Sequence, residues 1–131
     1  MIPVYCLDSC FLIDVAAGDA GAARKVRAME VTGATLAVAA PALTEVLVGA
    51  HTRGGAYLRK MTELLAPLEV LATDASLARQ AGELGAEMRA RGFPTPTVDL
   101  IIAATARSRT AVVVTRDDAF GRIPGIAVET Y

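Results

Sequence analysis

The sequence predicts an α/β fold, a three-layer α/β/α domain with a mostly parallel central sheet of four to five strands. Short apolar, β-branched runs alternate with longer stretches of helical spacing. Proline and glycine stand where those stretches meet. Ala111–Thr115 (Ala-Val-Val-Val-Thr) has the unbroken β-branched character of a strand covered on both faces.

Val4–Leu7 reads as the first strand, bounded by Pro3 and Asp8. A helix follows from Ser9 to Ala17 and a second from Ala20 to Thr32, with Arg24, Lys25 and Arg27 giving the second a basic side. Leu36–Ala39 is the second strand. Pro41 opens the next helix, as proline does in a first turn, and Leu43, Val46, Leu47 and Ala50 follow helical spacing on it. Gly54-Gly55 breaks that helix, Ala56–Leu65 continues as another, and Leu68–Leu71 is a short third strand. Asp74–Arg91 is the clearest amphipathic helix, with Leu77, Ala81, Leu84 and Met88 inside and Arg79, Glu83, Glu87 and Arg91 spaced to pair outside. Thr73 or Asp74 caps its start and Gly92 marks its end. Pro94-Thr95-Pro96 forces an extended link into a helix from Val98 to Ser108, apolar nearly all round and therefore buried. After Ala111–Thr115, Gly125 precedes a last strand, Ile126–Thr130.

Residues 1–131 suit one ordinary domain, and 53% hydrophobic residues exclude disorder. Neither a basic leader nor a membrane-spanning apolar run is present, since the longest, Gly33–Leu43, contains Pro41 and is too short. The expectation is a cytoplasmic protein without a membrane role. Cys6 and Cys10, with His51 the only other soft donor, are too few for a structural zinc site and read as small buried hydrophobes. A net charge of −1 is unlike a typical nucleic-acid binder, so attraction to phosphate would need local patches or bound cations.

In open α/β sheets, function gathers at the carboxyl ends of strands. Asp8 directly follows the first strand, and Asp117 follows the Val-Val-Val-Thr strand by one residue. Glu45 lies a turn into the helix after the second strand, and Asp99 sits in the first turn of the buried helix. Asp99 taken alone could be a helix cap. Four acids that converge would repel unless a cation sits among them, and oxygen-only ligands suit Mg2+ or Mn2+. Such an ion binds phosphate and lowers the pKa of a bound water.

Leu7-Asp8-Ser9 with Phe11-Leu12-Ile13, Thr44 to Gly49, Val98 to Ala106, Thr115 to Phe120, and the tail Ile123 to Ile126 together resemble the PIN domain, specifically the VapC-type toxins of toxin–antitoxin pairs. Each motif is weak alone, but their order and spacing run the length of the chain. The resemblance implies a PIN-like fold and a divalent-metal-dependent endoribonuclease that cleaves RNA phosphodiesters with a metal-activated water. It implies Asp8, Glu45, Asp99 and Asp117 as catalytic and metal-binding acids, Ser9 and Thr115 as supporting hydroxyls, a small antitoxin partner with a basic side chain placed among the acids, and a homodimer. Asp118 either assists Asp117 or is a solvated turn residue; Arg116 either contacts RNA phosphate or balances Asp118.

Other features have plainer readings. Arg24, Lys25 and Arg27 suit a solvated helix face, and His51 the end of its helix. Val48, Tyr57, Leu58, Met61 and Leu65 suit core packing, with a dimer or antitoxin groove as the alternative. Two other functions compete with the toxin: a PIN-type RNA-processing nuclease, and a PIN-like module that binds RNA or protein without cleavage. Phosphotransfer folds fit poorly, because Cys10 stands where a haloacid dehalogenase needs its second Asp and only Lys25 and Lys60 are available as a receiver lysine. A glycine-rich phosphate loop is missing as well.

Overall fold

A computed structural model describes residues 2–131. The elements run β1 (Val4–Leu7), α1 (Ser9–Ala16), α2 (Ala20–Val31), β2 (Thr35–Ala39), α3 (Ala40–Arg53), α4 (Gly55–Leu65), β3 (Glu69–Leu71), α5 (Ala75–Ala90), α6 (Thr97–Ser108), β4 (Val112–Val114), a short 3-10 helix (Asp118–Arg122) and β5 (Ala127–Glu129). The sheet has five strands in the order β3-β2-β1-β4-β5, and every pairing is parallel. The domain is therefore the expected three-layer α/β/α arrangement, wholly rather than mostly parallel.

The edge strands β3 and β5 and the inner strand β4 are shorter than their sequence runs, at three residues each. The 3-10 helix was not foreseen, because five residues hold too little periodicity to show. At the helix ends, Asp74 rather than Thr73 caps α5, accepting from the Leu77 amide at 2.9 Å. Gly92, at φ +84°, ends it as expected. Leu77, Ala81, Leu84 and Met88 are all buried. Of the two outer pairs, only Glu87–Arg91 forms among the described residues. The basic side of α2 is not wholly solvated: Lys25 pairs with Glu129 of β5 and lies 5.8 Å from the Tyr5 ring centroid. Of the apolar residues on α3 and α4, Met61 is buried, Tyr57, Leu58 and Leu65 pack partly against the core, and Val48 is exposed. No helix among the described residues is long and apolar enough to cross a membrane.

The chain lays β1, β2 and β3 outward in one direction, then crosses to the other side of β1 for β4 and β5. The order reverses between β1 and β4. In such sheets the crevice beyond the strands' carboxyl ends at the reversal is where ligands bind. Asp8 and Thr115-Arg116-Asp117 follow those two strands directly.

Candidate active site

Asp8 is the most constrained of the four acids, being 5% exposed. It is the N-cap of α1, and its Oδ1 accepts from the Ser9 amide at 2.8 Å. Its Oδ2 accepts from Thr115 Oγ1, also at 2.8 Å. Thr115, itself buried, accepts in turn from the Asp117 amide at 3.0 Å. One hydroxyl thus ties the end of β4 to the end of β1 and fixes where both acids leave the sheet. Asp117 caps the 3-10 helix through the Ala119 amide at 2.9 Å. The link from Ser9 to Asp8 runs through its amide.

Asp99 behaves differently. The N-cap of α6 is Pro96, and no side chain caps that helix. The cap reading of Asp99 therefore falls away. Its carboxyl is half-buried and pushed up to about 6, by burial first, then by Asp8, Asp117 and Glu45 in turn. Glu45, on the exposed side of α3, is also raised, by desolvation first and Asp8 second. The four acids thus lie within electrostatic reach of one another. None of them has an ion-pair partner among the described residues. They converge without closing: no three His, Cys, Asp or Glu among the described residues already surround one point. An uncompensated set of oxygen donors fits a hard divalent cation such as Mg2+ or Mn2+ better than zinc.

A second layer went unseen in the sequence. Cys10 is not simple packing: its Sγ lies 3.4 Å from both Asp8 Oδ2 and Thr115 Oγ1. Tyr131 sets its ring edge against Phe11, donates to Asp14 Oδ2 at 2.6 Å and places its oxygen 3.9 Å from Cys10 Sγ. Burial and the bond to Asp14 raise the Tyr131 phenol far above its usual range, so the proton stays on tyrosine. Arg116 Nη1 stands 3.3 Å from Asp14 Oδ2, so this arginine balances Asp14 and not Asp118. Asp118 is exposed on the first turn of the 3-10 helix. The sequence signals are Cys10's place two residues after Asp8 and Asp14's a turn later on α1; the contacts to Thr115, Arg116 and Tyr131 join residues more than a hundred positions apart.

Fold and site define a class: a parallel α/β/α domain with an uncompensated acidic crevice where its strand order reverses. The chain belongs to the PIN domain family, which it matches over residues 5–126. It is 43% identical over 65 residues to the tRNA(fMet)-specific endonuclease VapC of Salmonella typhimurium, a match spanning 49%, about half, of each protein. Among solved structures it resembles DNA-bound VapBC from Salmonella typhimurium, at 30% identity, with a TM-score of 0.81, covering 99% of this chain and 98% of that one. It also resembles VapBC2 from Rickettsia felis bound to a promoter DNA fragment, at 22% identity and a TM-score of 0.86 over 98% of both chains.

Proposed function

We propose that this chain is a divalent-metal-dependent endoribonuclease acting as the toxin of a toxin–antitoxin pair. The observation that carries the reading is that Asp99, pushed up to about 6 by burial first, is also raised by Asp8, Asp117 and Glu45, with no ion-pair partner for any of the four among the described residues. Capping accounts for Asp8 and Asp117 singly but not for four like charges near one another, so the cluster is understandable as a site completed by Mg2+ or Mn2+. When bound, such an ion supplies the positive charge that takes up a phosphodiester and makes a water acidic enough to attack it.

The protein's own groups do the rest. Asp8, locked by Ser9 and Thr115, gives a fixed oxygen edge; Asp117, held through Thr115, gives a second. Asp99, pushed up to about 6 by burial first and by the neighbouring acids, can take or release a proton near neutral pH, and Glu45 is raised beside it by desolvation. Arg116 is held at the rim by Asp14, 62% exposed, where it can take an RNA phosphate.

The relative named for tRNA(fMet) makes initiator tRNA the first substrate to try, and the VapBC complexes support a small antitoxin as partner. We place the protein in the cytoplasm as a homodimer when free of antitoxin. The test is incubation with initiator tRNA and with total RNA, in Mg2+, Mn2+ or EDTA, beside Asp99→Asn. Cleavage that needs the metal and disappears in the variant is expected. RNA or antitoxin binding without cleavage in any metal would favour the binding module instead.

A further inference from the structure

The segments that deliver Asp99 and Asp117 also meet each other away from the acids. The loop before α6 and the 3-10 helix after β4 enclose a concavity of about 240 Å3, walled by Phe93, Pro94, Pro96, Ala119 and Arg122. That is less than a drug-sized ligand needs and suits a single flat ring system. Phe93 is 45% exposed and is the one exposed aromatic side chain among the described residues. The Arg122 guanidinium lies 4.9 Å from its ring centroid. Arg122 forms no ion pair among the described residues.

The backbone beneath this aromatic is fixed. Gly92 takes φ +84° and the Phe93 amide donates to Met88 O at 2.9 Å, the wrap that closes a helix end. Thr95 Oγ1 donates to Phe93 O at 3.0 Å, and prolines hold both sides of Thr95. An apolar ring is thus held partly in water beside an unpaired cation, in a cavity whose walls at Pro96 and Ala119 stand three residues before Asp99 and two after Asp117. Aromatic faces and guanidinium planes are what unpaired bases stack on, and arginine adds attraction for the neighbouring phosphate.

We propose that Phe93 and Arg122 form a stacking seat for one unpaired base of the RNA strand whose phosphate enters the acidic crevice. The seat rests on the nuclease reading above and names its substrate as locally single-stranded. The chain has no tryptophan, so Phe93→Trp introduces a single fluorescent reporter. The titrants are a cleavage-resistant phosphorothioate oligouridylate and an abasic strand of the same length, with Mn2+ present. Quenching by the base-bearing strand alone is expected, as is a rise of about tenfold in KM for Phe93→Ala at unchanged kcat, reversed in Phe93→Tyr. Equal quenching by both strands, or none, overturns the seat, as does an unchanged KM in Phe93→Ala while the wild type cleaves. If the wild type cleaves nothing yet base-dependent quenching persists, the seat stands and the nuclease reading fails.

Discussion

Asp99 is where the charge imbalance concentrates. Its carboxyl titrates at about 6 against an ordinary 3.8, raised by burial and by three other acids. A carboxyl whose pKa is higher in the folded state holds its proton more tightly there than in the unfolded chain. Stability from this group is therefore full below about pH 4, falls as pH rises towards 6, and stays lost above. Asp99→Asn removes that loss. In EDTA near pH 7.5 the variant is expected to melt about 2–5 °C above the wild type, with the gap closing as pH falls towards 4. Thermal melts across that range check it. A variant less stable than the wild type at pH 7.5 would mean that the Asp99 charge is already compensated.

Between elements, the site depends on how closely α5 and α6 approach, because α6 carries Asp99. A Cβ added at Gly85 would come within 2.8 Å of Leu100 Cδ1, whereas one at Gly82 meets nothing within 4 Å. Gly82→Ala is expected to stabilise the protein by about 0.5–1 kcal/mol, the helix-propensity gain. Gly85→Val pushes against Leu100, the neighbour of Asp99, and is expected to cost about 1–3 kcal/mol and to weaken cleavage. Denaturant titration of both variants separates them, and equal effects would show that the contact at Gly85 does not matter. None of this close approach is legible in sequence, where both glycines look alike. What is legible is local: the stripe Leu77 to Met88, the strand Val112–Val114, and the acids that follow strands. Asp8 and Asp117 could be placed because strand ends are readable. That Thr115 joins them, that Cys10 reaches Thr115, and that Tyr131 holds Asp14 are contacts across the fold, with no local pattern to reveal them.

At the scale of the whole molecule, a net charge of −1 and a cluster of acids should repel RNA. The polyanion can approach the acids only if their charge is offset, and none of the ion pairs among the described residues involves them: Arg116 is engaged with Asp14, Lys25 with Glu129 and Arg109 with Glu69. A divalent ion among the four acids would change the local charge by two and offset the repulsion that adds to burial in raising Asp99. Binding to the folded state alone raises stability by RT ln(1 + [L]/Kd), about 2.7 kcal/mol at roughly 100 times the dissociation constant. For a chain of 131 residues that is close to 10 °C in Tm. Titration with Mn2+ should raise the wild-type Tm in proportion to the logarithm of ion concentration, and EDTA should return it. Asp8→Asn, which keeps the shape of the α1 cap but not its charge, should flatten the response. RNA association, followed by gel shift under non-cleaving conditions, should need the same ion concentration. A wild-type Tm indifferent to Mn2+ and Mg2+ would remove the metal from the proposed function and leave the acidic crevice unexplained.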